Sequence, residues 1–143
     1  MNMKKPYRQG GFTLMELMVV VTIVAIIAAI GYPSYTAYVR EANRVDATEA
    51  LLRIQNEQEK YYLQNNTYTT SLSDLGFSGT TSKNGYYTLA IPNADATTFT
   101  ATAVPNSTPQ SGDKTCQSFS INALNVRTAK DSSGADSTEE CWG

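Results

Sequence analysis

Three residues of this chain offer most of its chemistry: Glu16, Cys116 and Cys141. Glu16 is the one charge among the 21 residues from Phe12 to Tyr32. A carboxylate in hydrocarbon costs about 2.5–3.5 kcal/mol on insertion scales, and intramembrane acids usually have a task. A place near a helix start would let it snorkel and favour the positive end of the dipole. That accounts for its tolerance and not for its presence. The chain has no histidine, which excludes Ser-His and Cys-His nucleophilic sites and histidine metal cages. A Gly-rich phosphate loop and a C-x-x-C pair are missing too, leaving a Ser-Lys or carboxylate site as the remaining enzymatic option. The chain reads as a non-enzyme with no cofactor and no metal.

The element that must position Glu16 is the apolar run itself. At roughly 1.5 Å per residue, 21 helical residues span about 30 Å, the thickness of a bilayer's hydrocarbon core. Lys4, Lys5 and Arg8 precede it without an acidic neighbour, so the N-terminus is expected in the cytoplasm and the remainder across the membrane. An ordinary secretory signal has its small-residue cleavage site after the run; here Gly10 and Gly11 come before it. A plain signal anchor is the simpler alternative.

Gly11-Phe12-Thr13-Leu14-Met15-Glu16, continued through Leu17-Met18-Val19-Val20-Val21 to Pro33-Ser34-Tyr35, resembles the processing site and N-terminal helix of type IV pilins and type II secretion pseudopilins. The resemblance implies a prepilin leader over residues 1–11. A membrane-embedded prepilin peptidase would cut after Gly11 and N-methylate Phe12. It implies assembly roles for Phe12, Glu16 and Pro33, with the Glu16 carboxylate pairing with the Phe12 ammonium of a neighbouring subunit and so selecting its stagger. In that family the helix bends, and can unwind, near Pro33. Ala25 stands where relatives commonly have glycine. Sequence physics agrees on a weak turn, because Pro33 lacks an N–H and crowds the carbonyl of Ala29, and Gly31 lowers helix propensity.

Without the leader, 132 residues carry eight basic and thirteen acidic side chains, a net charge of −5. About 110 residues remain beyond the apolar helix (12–33), enough for one small exported head at 34–143. Both cysteines fall there, and a single pair in an oxidising compartment reads as a disulfide. Closing its loop over 116–141 is worth roughly 3–3.5 kcal/mol in the chain-entropy model.

Residues 34–64 continue as an amphipathic helix. Ala47, Leu51, Ile54, Gln58 and Tyr61 recur at 4, 3, 4, 3 and form the stripe expected against the head. Glu49 and Arg53 are placed for an i,i+4 pair. A dimeric coiled coil is the alternative, with three heptads too few to favour it. The stretch Gln64-Asn65-Asn66-Thr67-Tyr68 ends the helix. Residues 65–85 form a connecting loop anchored by Leu72, Leu75 and Phe77, with Ser71 or Ser73 capping a turn that ends at Gly76. Three strands follow within 86–123: Tyr86 to Ile91, broken by Pro92; Thr98 to Val104, with Phe99, Ala101 and Ala103 inward; and Gln117 to Ala123, with Phe119 and Ile121 inward. The expected fold is α+β, the type IV pilin fold, with a long spine helix packed on a small antiparallel meander and a disulfide-bonded C-terminal loop.

Asp131, Asp136, Glu139 and Glu140 do not match an EF-hand and read as a solvated loop. Lys83, Lys114, Arg127 and Lys130 are too scattered to call a nucleic-acid patch, so nucleic acid is not expected as a direct ligand. The sequons at Asn65 and Asn106 occur often by chance. Asp113-Lys114-Thr115-Cys116, Phe119-Ser120-Ile121-Asn122 and terminal Cys141-Trp142 resemble the minor pilins of the PilE kind. That resemblance implies a structural pilus subunit acting in twitching motility, adhesion or DNA uptake. Its implied partners are the prepilin peptidase, other pilin subunits, the inner-membrane assembly machinery and the membrane. It would sit in the bacterial inner membrane, head in the periplasm, and then in the extracellular pilus. The alternatives are a major pilin, a pseudopilin, or a membrane-tethered binding module that never polymerises.

Overall fold

The structure is a computed structural model describing residues 11–143; Lys4, Lys5, Arg8 and Gly10 of the expected leader lie outside them. Helix α1 runs from Leu14 to Asn65, and the chain divides into two units, one ending at Tyr35 and one from Thr36 to Gly143.

In the first unit every described residue is exposed, including Phe12, Leu17, Val21, Ile27 and Ile30. An apolar helix with nothing covering it has the length and composition to cross a membrane. Its one mid-run hydroxyl is satisfied locally: Thr22 donates to the Met18 carbonyl at 2.7 Å. Pro33 lies inside α1.

In the second unit α1 buries Ala47, Ala50, Leu51, Ile54 and Gln58, the expected stripe, with Tyr61 partly buried at its end. The helix stops where Asn66 turns to φ 54° and its N–H reaches the Tyr62 carbonyl at 2.8 Å. Arg53 does not pair with Glu49. Its guanidinium lies 4.3 Å from the Phe77 ring centroid and donates to the Gly76 carbonyl; a planar cation gains more on an aromatic face than in an exposed helical ion pair. In the loop, Ser71 accepts from the Asp74 N–H, the turn closes at Gly76 with φ 76°, and Leu75 is buried.

The sheet has four strands in the order β1-β2-β3-β4, all antiparallel: β1 Tyr87–Ala94, β2 Phe99–Pro105, β3 Ser118–Asn122 and β4 Arg127–Lys130. The sequence-based expectation was three strands. β1 also passes Pro92 instead of ending there, because the register shifts between Ala90 and Asn93; a bulge is where a strand tolerates proline. Tyr87, Leu89, Phe99, Ala101, Ala103, Phe119 and Ile121 meet the α1 stripe in one core. Tyr87 packs edge-on against Phe119 at 5.6 Å, and Phe119 against Trp142 at 6.1 Å. A short helix α2, Thr138–Trp142, closes the chain beside β4.

Gln58 is fully buried and clamps the loop: its amide donates to the Thr69 carbonyl at 2.6 Å and accepts from the Thr69 N–H at 3.0 Å. Gln58→Ala strands both backbone groups and is expected to cost about 2 kcal/mol in a denaturant titration. A loss below about 0.5 kcal/mol would mean that water replaces the amide.

Candidate functional site

Two regions carry the functional residues. The first is the start of α1. Gly11, Phe12 and Thr13 precede the helix. The Thr13 side chain accepts from the Glu16 N–H at 3.2 Å, and the Leu17 N–H reaches the Thr13 carbonyl at 3.1 Å. Thr13 therefore caps the helix and Glu16 occupies its third position, the Thr-x-x-Glu spacing of a capping box. The sequence reading missed this role for Thr13, although the spacing signals it. Glu16 is exposed within the first turn, where the dipole favours an anion. Phe12 is 87 % exposed.

The second region is the disulfide loop of the head. Cys116 and Cys141 are bonded and both are buried. Arg44 on α1 reaches across to this loop. Its Nε and Nη2 donate to the two Asp113 carboxylate oxygens at 2.8 and 3.1 Å, and its Nη1 to the Glu140 carbonyl at 3.3 Å. The hydrogen bond to Asp113 holds the Arg44 pKa above its ordinary value. Asp113 also accepts from the backbone N–H groups of Thr115 and Cys116, so a single carboxylate ties helix, loop and disulfide together. One turn earlier, Arg40 donates to the Pro109 carbonyl, and buried Gln110 donates to the Arg40 carbonyl and to the Tyr87 hydroxyl. Burial pushes Tyr87 up to about 12, against the lowering effect of that hydrogen bond.

The acidic residues of the last segment line an open cleft of about 810 Å³ with Lys114. Two of their carboxylates are engaged in turns: Asp131 accepts from Ser133 and Ala135, and Asp136 from Thr138. These bonds hold both carboxyls below the usual range. The four bases do not form one cluster. Arg127 and Lys130 share β4, and Lys114 lies beside it through its carbonyl, which accepts from Ser132 N–H. Lys83 lines a different cleft with Asp46, Glu49 and Arg53. Arg127 stacks over Trp142 at 5.3 Å, whose indole N–H donates to the Thr128 carbonyl.

An uncovered apolar helix that starts at a capped acid, and a helix-backed meander stapled near its C-terminus, are the parts of a type IV pilin. Residues 6–32 match the prokaryotic N-terminal methylation motif. Residues 33–120 match the family described as type IV minor pilin ComP, DNA uptake sequence receptor, and the chain belongs to that family. It is a membrane-anchored minor pilin, a subunit of type IV pili, in a class of proteins that is structural and not enzymatic. Among solved structures, the crystal structure of the Neisseria meningitidis non-core minor pilin PilV matches with a TM-score of 0.54 and 23 % identity, over 66 % of this chain and 89 % of that one; this likeness is one of fold. No curated protein matches the chain.

Proposed function

We propose that this minor pilin acts in DNA uptake and that the outward face of its sheet is where the head meets DNA. The observation that carries the reading is the chemistry of that face. In register across the strands lie Ala90, Thr102, Ser120 and Thr128, with Thr100 opposite Asn122 and Ser118 opposite Lys130. These positions alternate with the buried core residues, and none carries a carboxylate, in a mature chain of net charge −5. A polyanion meets little like charge on these strands, Asp136 beside Lys130 being the acid at their border, and small hydroxyls, an amide and a lysine are common donors to phosphate oxygens. Sequence alone weighed against DNA as a direct ligand because the bases are scattered. The sheet supports the opposite view by what it leaves out, and the family's description points the same way.

In this reading the prepilin peptidase cuts after Gly11 and methylates Phe12. The chain waits in the inner membrane with its head in the periplasm, and Glu16 sets the stagger as it joins other pilin subunits. The basic residues ahead of the apolar run and the methylation motif support that order of events.

Fluorescence anisotropy of the full chain in detergent with duplex DNA tests the contact. Binding is expected at low salt and should weaken by at least about tenfold between 50 and 200 mM. Thr102→Glu, in the centre of the face, should weaken it by about tenfold or more, since it places a fixed anion against phosphate. Equal binding by Thr102→Glu and the parent would remove the sheet face from the proposal.

A further inference from the structure

Tyr32 and Tyr35 stand at the far end of the apolar run, three residues apart and so on neighbouring positions of one helix face. They are 73 % and 68 % exposed. Among the described residues neither ring packs on another ring, and neither hydroxyl has a hydrogen-bond partner. A core tyrosine normally buries its ring and finds a partner for its hydroxyl; these do neither. Tyrosine combines an apolar ring with a polar tip, the composition that concentrates at the boundary between acyl chains and headgroups. Their position relative to Glu16 fits the same boundary. Nineteen residues separate Glu16 from Tyr35, about 28 Å along a helix, close to the roughly 30 Å of a hydrocarbon core.

We infer that Tyr32 and Tyr35 are an interfacial anchor that binds the lipid headgroup boundary and fixes the depth of the span before assembly. This rests on the chain being held in a membrane by α1. With the two rings at one boundary, the Glu16 carboxylate falls at the opposite one, where water and headgroups solvate it instead of hydrocarbon. The lone acid is thereby tolerated while the subunit waits, and its desolvation is deferred until a neighbour supplies a cation. The anchor sets depth through the polar tip, so a residue that is equally apolar without that tip does not replace it.

The test uses the full chain in vesicles of phosphatidylethanolamine and phosphatidylglycerol. Tyr35→Trp is read by lipids brominated at shallow or deep acyl positions, with the parent chain supplying the Trp142 background. Shallow bromine is expected to quench the new signal more strongly. A Ser34→Cys reporter is then labelled with a membrane-impermeant maleimide, to which the native disulfide is inert. Labelling should slow by about tenfold when Tyr32→Leu and Tyr35→Leu lengthen the apolar run, and return when both are tryptophan instead. Stronger quenching by deep bromine, or equal labelling in all three backgrounds, overturns the anchor. If the leucine pair labels normally yet the chain no longer enters pili, the tyrosines belong to contacts between subunits and the anchor is likewise overturned. Flotation with the vesicles separates the two levels: a chain that fails to float strikes the membrane reading itself, whereas one that floats and fails the depth test strikes the anchor alone.

Discussion

Glu16→Ala is expected to leave the chain in the membrane and remove it from the pilus. The substitution takes away a charge that the span must otherwise keep solvated at its boundary, so membrane-bound protein should not fall. The helix start loses little, because the cap is supplied by the Thr13 hydroxyl and the Glu16 backbone N–H, both retained. The loss falls on assembly, where the proposed partner of the carboxylate is the Phe12 ammonium of an adjacent subunit. In a low-dielectric bundle an ammonium left without its carboxylate is several kcal/mol out of balance. Incorporation should therefore drop by about a hundredfold or more, since each 1.4 kcal/mol is a factor of ten. Immunoblots of sheared pili against membrane fractions measure both quantities. Glu16→Gln should behave as Glu16→Ala does, because charge and not size is at issue. Parental abundance of either variant in sheared pili would end the stagger proposal and return Glu16 to a capping residue.

The second large effect concerns the head. Asp113→Ala should lower stability by about 3 kcal/mol, the lower end for breaking a buried ion pair because the Arg44 guanidinium keeps some solvent contact. Asp113 is 4 % exposed against 17 % for Arg44. The variant leaves Arg44 without its bidentate partner and the N–H groups of Thr115 and Cys116 without an acceptor. For a domain of this size that is a melting temperature lower by roughly 12 °C or more. Opening the disulfide with Cys116→Ser is worth about 3 kcal/mol on loop-closure grounds. The two substitutions touch one loop and should combine by less than their sum. Thermal unfolding of the full chain in detergent, by circular dichroism, reads all three variants. A shift under about 3 °C for Asp113→Ala would mean that solvent replaces the carboxylate.

What could be read in the sequence was whatever repeats. The α1 stripe follows helical spacing, and Phe99, Ala101 and Ala103 with Phe119 and Ile121 follow strand alternation, so the core was visible before any fold. β4 was not: Arg127-Thr128-Ala129-Lys130 contains a single apolar residue and no period can be seen in it. It is a strand because β3 pairs with it and because Asp136 and Trp142 border it. Pro92 misled in the opposite sense, since a bulge absorbs it. The Arg44–Asp113 pair joins residues 69 apart, and no local pattern points from one to the other. The outward sheet face was hidden for the same reason: its residues come from four separate strands. Thr13 was legible and overlooked, because the eye goes to the acid rather than to the hydroxyl three residues before it.

The seam between α1 and the head is fastened by polar side chains as well as by its core. Arg44 holds Asp113, Asp46 accepts from Ser82 and the Asn84 N–H, and Gln58 grips Thr69 at both of its backbone groups. Oil against oil permits sliding, but directional bonds fit at a single offset. From Arg44 to Gln58 the fastenings span about 21 Å of helix, so a slip of even one residue unseats all of them together. A head clasped in this way resists a pull along its helix up to a threshold and then gives way in one step, which is the mechanical behaviour suited to a fibre under load.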